Sequence, residues 1–375
     1  MRRIPVGGPK VYPIDFARVG RALWKRELSG FSSQYIPKFE KEFARIAGTK
    51  YSCAVNSGTS AIYLALTALN LRKGTKVAVS SYTNMATFFP VLQLGLVPVP
   101  IDIQSYDYNL DPEDLKKVID KNFGAIIVVH IFGIPAKMDA IMEIAEKFSI
   151  PVIEDCAEAH GATYNGQPVG SFGKAGCFSF YANKIIGTGE GGAISTNDEL
   201  FFETITQMRS LSFGKENKFL HESDGYNFRM TNLQAALGLS QISNLKNALS
   251  RKSKIAERYR ELLVDYADFI LPEYTKGSVT WMYHLRLRCG HEKCRNKVIS
   301  EMEARQVELR PGFIPFSDQT KILKKYKIRV RQTPVASAVA NSAFYLPTSL
   351  DIKLGQQDMV CQNLIKVVGS LHQHE

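Results

Sequence analysis

The chain has 375 residues, 45% of them hydrophobic and 22% charged, with no low-complexity tract, which suits one large globular domain plus a smaller one. No apolar run approaches the roughly 20 residues of a membrane helix, and MRRIPVGGPKVYPIDF carries no apolar stretch behind its two arginines, so neither a membrane span nor a secretory signal is expected and the cytoplasm is the default. The net charge of +11 is spread along the chain, densest in KILKKYKIRVR at 321–331; without a base-stacking motif or zinc module it argues for anionic small molecules over nucleic acid.

In chain order, Phe39, Phe43 and Ile46 recur at helical spacing, and SGTSAIYLALTALNL follows as a helix capped by Ser57. VAVSS (77–81) and the end of LGLVPVPIDI read as strands. AIIVVHIFG (125–133) reads as one near-continuous apolar strand, the pattern of a parallel sheet covered on both faces. A helix near 137–148 leads into the buried strand PVIEDC, and GCFSFYANK and GGAIST supply two more strand-like runs. Residues 231–265 read as successive helices. VTWMYHLRLRC alternates like a half-exposed strand, and a helix near 292–306 follows. The expected organisation is a large α/β domain over 1–250, with an N-terminal arm, and a smaller α+β domain over 251–375, with ligands at the carboxyl ends of the strands.

Of the six cysteines, Cys53, Cys156 and Cys177 lie in apolar surroundings, as buried reduced thiols do. Cys289 and Cys294, in CGHEKC, have a metal-like spacing but no second pair, and a structural zinc site normally needs four ligands. No metal is expected.

Three clusters carry chemistry. Ser57-Gly58-Thr59-Ser60 opens a helix, where free amides and hydroxyls suit a phosphate, although taken alone it reads first as a helix cap. Glu154-Asp155 ends a buried strand. A carboxylate there suits a protonated ring nitrogen and equally suits a loop edge; Glu158 and His160 follow on the next turn. The third cluster is SFYANKIIGTGEGG, in which Lys184 stands between an apolar strand and a glycine-rich turn. A partly desolvated lysine of this kind can serve as a Schiff-base nucleophile.

The ordered motifs SGTSA, EDCAEAHGA, SFYANKIIGTGEGG and GYNFRMTN, from GFSSQYIPKFEKEF near residue 30 to LPTS near 346, resemble the DegT/DnrJ/EryC1/StrS family of sugar aminotransferases dependent on pyridoxal 5′-phosphate (PLP). The resemblance implies a fold type I α/β transferase with a mostly parallel sheet and a homodimer with shared active sites. It implies that Lys184 carries PLP as a Schiff base and then moves protons, and that Asp155 pairs with the pyridine nitrogen. Glu158 is expected at the PLP 3-hydroxyl, with Gly58, Thr59 and Ser179 on the phosphate and Asn227 reaching it from the partner subunit. Arg310, and with it Glu190, is expected on the anionic nucleotide-sugar substrate.

The NKIIxTGEGG form, with GYNFRMTN and WMY at 281–283, is similar to enzymes of the GDP-perosamine synthase type, which aminate C4 of a nucleotide-linked 4-keto-6-deoxy sugar with glutamate as donor. Surface-glycan synthesis is the role this implies. The alternatives are a C3 aminotransferase and a PLP-binding regulatory or sensory protein without turnover. Lysine rather than histidine at 184 argues for transamination over dehydration.

Four positions depart from the family pattern, the mildest being Gly187, where threonine is common. Asn84 stands where an aromatic residue usually stacks on the pyridine ring, with Tyr82 or Met85 as possible substitutes. Gly312 replaces a phenylalanine, which predicts a widened or altered sugar pocket. Phe132 replaces a tyrosine. His130 is expected to be structural.

Overall fold

A computed structural model describes residues 3–31, 34–214, 217, 219–221 and 223–371. Ser32 and Ser33 of the GFSSQYIPKFEKEF motif, and Met1 and Arg2 of the N-terminus, lie outside the described residues.

The large sheet takes β1 (Tyr51–Val55), β2 (Lys76–Ser80), β3 (Val97–Ile101), β4 (Phe123–Val129), β5 (Val152–Asp155), β8 (Ala175–Ser179) and β9 (Gly192–Thr196). A small hairpin, β6 (Thr163–Tyr164) and β7 (Gln167–Pro168), lies between β5 and β8. The spatial order is β1-β9-β8-β5-β4-β2-β3; β9 runs antiparallel to both neighbours and the remaining pairs are parallel. Successive residues of a strand point to opposite faces. Val77, Val79 and Ile127 therefore enter one core, and Ala78, Ile126 and Val128 another. Both cores are covered by helices, which is why these strands lack polar alternation.

The apolar run 125–133 is not one strand. It stops at Val129 and becomes a 3-10 turn at Ile131–Gly133, in which Phe132 has φ +53° and Gly133 φ +93°. The His130 amide makes the last ladder bond to β5, at the Asp155 carbonyl, and a tertiary contact then takes the backbone: the Phe132 amide donates to the Glu158 carboxylate.

The second sheet is antiparallel, in the order β10 (Phe269–Ile270), β11 (Tyr283–Leu287), β13 (Ala343–Leu346), β12 (Arg310–Pro311). The expected half-exposure of 279–289 does not hold for β11, where only Arg286 is partly exposed. Tyr283 packs on Tyr259 on one side and His284 on Phe132 and Tyr108 on the other, so both faces are covered. Helix Leu245–Leu263 runs through both packing units: Ala248 belongs with Trp281 and Phe132, whereas Ile255, Tyr259 and Leu263 belong with β11 and the C-terminal helix Leu354–Leu371. Phe316 and the helix Thr320–Tyr326 return to the large-sheet core.

Cys289 and Cys294 form a disulfide between the end of β11 and helix Glu292–Ala304, a pairing that the sequence reading, which weighed only a metal, did not anticipate. No helix among the described residues is long and apolar enough to cross a membrane.

Candidate active site

A cavity of about 340 Å³ lies at the carboxyl ends of β4, β5 and β8 and the start of helix Gly58–Ala68. Its wall brings together Gly58, Thr59, Asn84, Asp155, Glu158, Ser179, Lys184, Glu190 and Arg310, residues scattered over 250 positions of sequence. Asn227 is exposed, bridged to Ser210, and lies outside the cavity of its own chain.

One end of the cavity is built for an anion. Helix Gly58–Ala68 begins with Ser57 extended, and the Ser57 hydroxyl accepts the Ser60 amide (3.1 Å). The first-turn amides of Gly58 and Thr59 have no partner within the helix. Glycine is required at 58 because a Cβ there would lie 2.8 Å from the Ser179 Cβ, so β8 and the helix start press together and leave a cradle rather than a wall.

The other end is acidic. Strand alternation sends Glu154 and Asp155 to opposite faces. Glu154 is consumed structurally: it accepts the amides of Gly170, Phe172 and Gly173 and pairs with His130 (3.1 Å). The other His130 nitrogen, Nδ1, accepts the Ala136 amide, which fixes the ring as a buried structural group. Asp155 faces the cavity. Its carboxylate accepts the Thr87 hydroxyl (2.8 Å) and the Ala157 amide (3.1 Å), and burial raises its pKa, with those two bonds and the nearby Lys184 opposing the rise.

Between the two ends, the Lys184 Nζ stands 3.7 Å from Glu158 Oε1, with the two side chains 11% and 7% exposed. Burial lowers the lysine pKa, opposed by Glu158 and Asp155, and burial pushes Glu158 up to about 7. Burial thus draws the proton affinities of the amine and the carboxyl toward each other. His160, on the same turn as Glu158, is fully buried against Phe43, Phe178 and Phe180 and does not line the cavity.

Asn84 lines the cavity, and its Oδ1 accepts the Ala86 amide in a local turn. Neither suggested substitute takes its place. Tyr82 is buried among Tyr108, Phe132 and Phe313, and Met85 packs in the large-sheet core. Gly312 does not widen the pocket: a Cβ there would meet the Tyr82 hydroxyl at 2.1 Å, so the tyrosine occupies the space that a larger residue would fill.

Thr87, Phe313 and Tyr345, which no sequence motif singled out, and Trp281, which entered only as part of WMY, also stand on the cavity wall. Thr87 was readable only as the last residue of SSYTNMAT, and the other three come from the second sheet and its loops, where no local motif points to a ligand.

The donor set fits PLP. A cradle of free amides suits the phosphate, a desolvated amine suits the aldehyde, and a buried carboxylate with spare acceptor capacity suits the pyridine nitrogen.

The sequence pattern of the DegT/DnrJ/EryC1/StrS aminotransferase family matches residues 21–365. The chain is 35% identical over 339 residues to the GDP-perosamine synthase of Caulobacter vibrioides, covering 89% of this chain and 90% of that protein. It is 34% identical over 290 residues to the dTDP-3-amino-3,4,6-trideoxy-alpha-D-glucose transaminase of Streptomyces venezuelae, covering 77% and 73%. Among solved structures, the aminotransferase from Psychrobacter cryohalolentis superposes with a TM-score of 0.88 at 28% identity, covering 97% of this chain and 99% of that one.

Proposed function

The chain belongs to the DegT/DnrJ/EryC1/StrS aminotransferase family, whose sugar-nucleotide aminotransferases use PLP, and from that premise we propose that it moves an amino group from glutamate to C4 of a nucleotide-linked 4-keto-6-deoxy sugar for a surface glycan. The observation that carries the reading is the Lys184–Glu158 pair at 3.7 Å, set between the amide cradle and Asp155. The likeness to a GDP-perosamine synthase over nine-tenths of both proteins supports the C4 choice.

When bound, PLP supplies an aldehyde that captures amines and a ring that stabilises negative charge at the adjoining carbon. Gly58, Thr59 and Ser179 would hold its phosphate, Asp155 its pyridine nitrogen, and Glu158 its 3-hydroxyl. Lys184 would bond to its aldehyde carbon. Once released, the Lys184 Nζ would take the proton from the donor's α-carbon and return it across the intervening nitrogen, a 1,3-shift. One base that reaches both carbons suffices, and the partly desolvated amine is suited to this work near neutral pH. Arg310, on the cavity wall and paired through Nε with Glu308 (3.0 Å), would offer its remaining guanidinium N–H groups to diphosphate oxygens, and Glu190 would accept from sugar hydroxyls. Asn227 would complete the phosphate site of a second copy. Exposed Phe16 (75%), Trp24 (88%) and Phe219 (79%) are the kind of apolar surface that a dimer covers.

The test is direct. Purified protein should be yellow and should lose that band in Lys184→Ala, with turnover down by roughly 10³-fold or more, the order of a lost general acid/base. Glutamate should convert the band, and a panel of GDP-, UDP- and dTDP-linked keto sugars should restore it with one substrate. NMR of the product identifies the aminated carbon. A C3 product would favour the second reading, which the S. venezuelae transaminase supports. No spectral response to glutamate would overturn the glutamate-dependent assignment.

A further inference from the structure

Trp281 reaches the cavity from the second packing unit and takes no part in the roles above. It is 4% exposed and meets the Lys184 turn twice. Its indole Nε1 donates to the Asn183 carbonyl (3.0 Å), and the Lys184 Nζ stands 3.7 Å from its ring centroid. The Trp281 backbone amide donates to the Phe132 carbonyl (3.2 Å), and the Phe132 amide donates to Glu158 Oε2 (2.8 Å). Since Glu158 Oε1 lies 3.7 Å from the Lys184 amine, the contacts close into a ring: amine, carboxylate, Phe132, Trp281 and back to the amine.

Two features show that this ring is held in place by the fold. Phe132 keeps φ +53° and ψ 13°, a left-handed conformation that a non-glycine residue holds only where the surroundings impose it. Here it delivers an amide to Glu158 and stacks its own ring on Trp281 (6.1 Å, 14°). On the other side, buried Lys252 donates to the Trp281 carbonyl (2.8 Å) and the Thr348 carbonyl (2.5 Å), fixing the tryptophan backbone to helix Leu245–Leu263.

We propose that Trp281 is a positioning residue for Lys184: its ring face is where the ε-ammonium rests, beside Glu158, once the released amine has taken up a proton. A lysine that repeatedly gives up and regains a covalent bond needs somewhere to keep its charged form out of water. A second carboxylate would hold the ammonium in a fixed geometry and slow its return. A ring quadrupole attracts the cation without directional bonds, so Nζ stays stabilised and free to swing. The indole N–H meanwhile pins the carbonyl immediately before Lys184, so the swing is confined to the side chain.

The test uses the full chain after removal of PLP, with Lys184 acetylation by acetic anhydride followed across pH by mass spectrometry. The chain has two tryptophans, and the exposed Trp24 is replaced by Phe in all samples. Trp281 is then replaced biosynthetically by mono-, di- and trifluorotryptophan, which drain the ring's negative face and preserve its shape. Glu158, Asp155 and His160, the ionisable groups that act on Lys184, and Arg310 and Glu190 on the cavity wall, stay unchanged throughout.

The labelling midpoint of Lys184 is expected to fall stepwise with fluorination, by about one pH unit in all, the order of a desolvated cation–π contact. Trp281→Leu should shift it the same way, and Trp281→Phe, which keeps a ring, should stay near wild type. A midpoint that is indifferent to fluorination, or that rises, overturns the proposal. The inference rests on Lys184 being the cofactor lysine, but its readout does not: failure of the Lys184→Ala spectrum would refute that assignment, and failure of the fluorination series would refute this one.

Discussion

At the residue scale, the site is an arrangement of proton affinities set by burial. Glu158 is the clearest case. Its carboxyl ionises at an ordinary value of 4.5 when exposed and at about 7 in the fold, so between those values the folded chain holds a proton that the unfolded chain has lost. The stability that this group contributes is full below 4.5 and is lost as pH rises through 7. In PLP-free protein, Glu158→Gln should therefore flatten the decline in stability across that window, as measured by urea midpoints from pH 4.5 to 8; an unchanged slope would assign the decline to another group. Thr87 acts on Asp155 in the opposite sense, since its hydroxyl donates to the ionised carboxylate. Thr87→Val keeps the shape and removes the donor, a loss of about 1.5–3 kcal/mol for a bond to a charged group. If Asp155 must stay ionised to hold the pyridine nitrogen, the Kd for PLP should rise by roughly tenfold or more. Fluorescence titration checks it.

At the element scale, close approaches decide what each segment can carry. The cradle at helix Gly58–Ala68 exists because β8 runs against the helix start with no side chain at 58 to separate them. β12 meets the large unit in the same manner at Gly312, whose missing side chain is replaced by the Tyr82 phenol. Gly312→Ala should destabilise the protein by about 1–3 kcal/mol, the usual range for overpacking. Tyr82→Phe in the same chain should recover part of it, because the hydroxyl is the closest atom. Thermal melts of the two single variants and the double variant give the coupling directly, and simple additivity would show that the two positions do not share this space. The stop in β4 at Val129 has the same origin. Local β propensity continues through Ile131, but the Phe132 amide donates to the Glu158 carboxylate and not to a longer ladder.

At the scale of the whole molecule, the cavity takes its floor from the large sheet and its far wall from the second packing unit, with helix Leu245–Leu263 running through both. Asn227 stands outside its own cavity, so the proposed phosphate contact requires a second subunit. Complementation tests this. Lys184→Ala and Asn227→Asp are each expected to be nearly inactive alone. In mixed dimers one of the two sites is rebuilt from the intact lysine of one chain and the intact asparagine of the other, so random mixing should recover about a quarter of wild-type turnover. No recovery, with mixed dimers confirmed by native mass spectrometry, would mean that each site is built from a single chain.

Much of this was open to a reader of the sequence, for a definite reason. Strands buried on both faces are written as apolar runs, the start of helix Gly58–Ala68 as Ser-Gly-Thr, and the lysine turn as SFYANKIIGTGEGG, because in each case neighbours along the chain meet the physical requirement. Those local signals determined the α/β class and singled out Gly58, Asp155 and Lys184 as candidates; the places of Glu158 and Ser179 came from the resemblance to the family. Tertiary structure decided which of two adjacent acids faces the cavity and which is consumed by His130 and three amides. It decided that Tyr82 fills the space left at Gly312, and that Trp281, nearly a hundred residues downstream, lies against the lysine. Those outcomes depend on contacts between segments far apart in the chain, whose distances and competing hydrogen bonds no local pattern records.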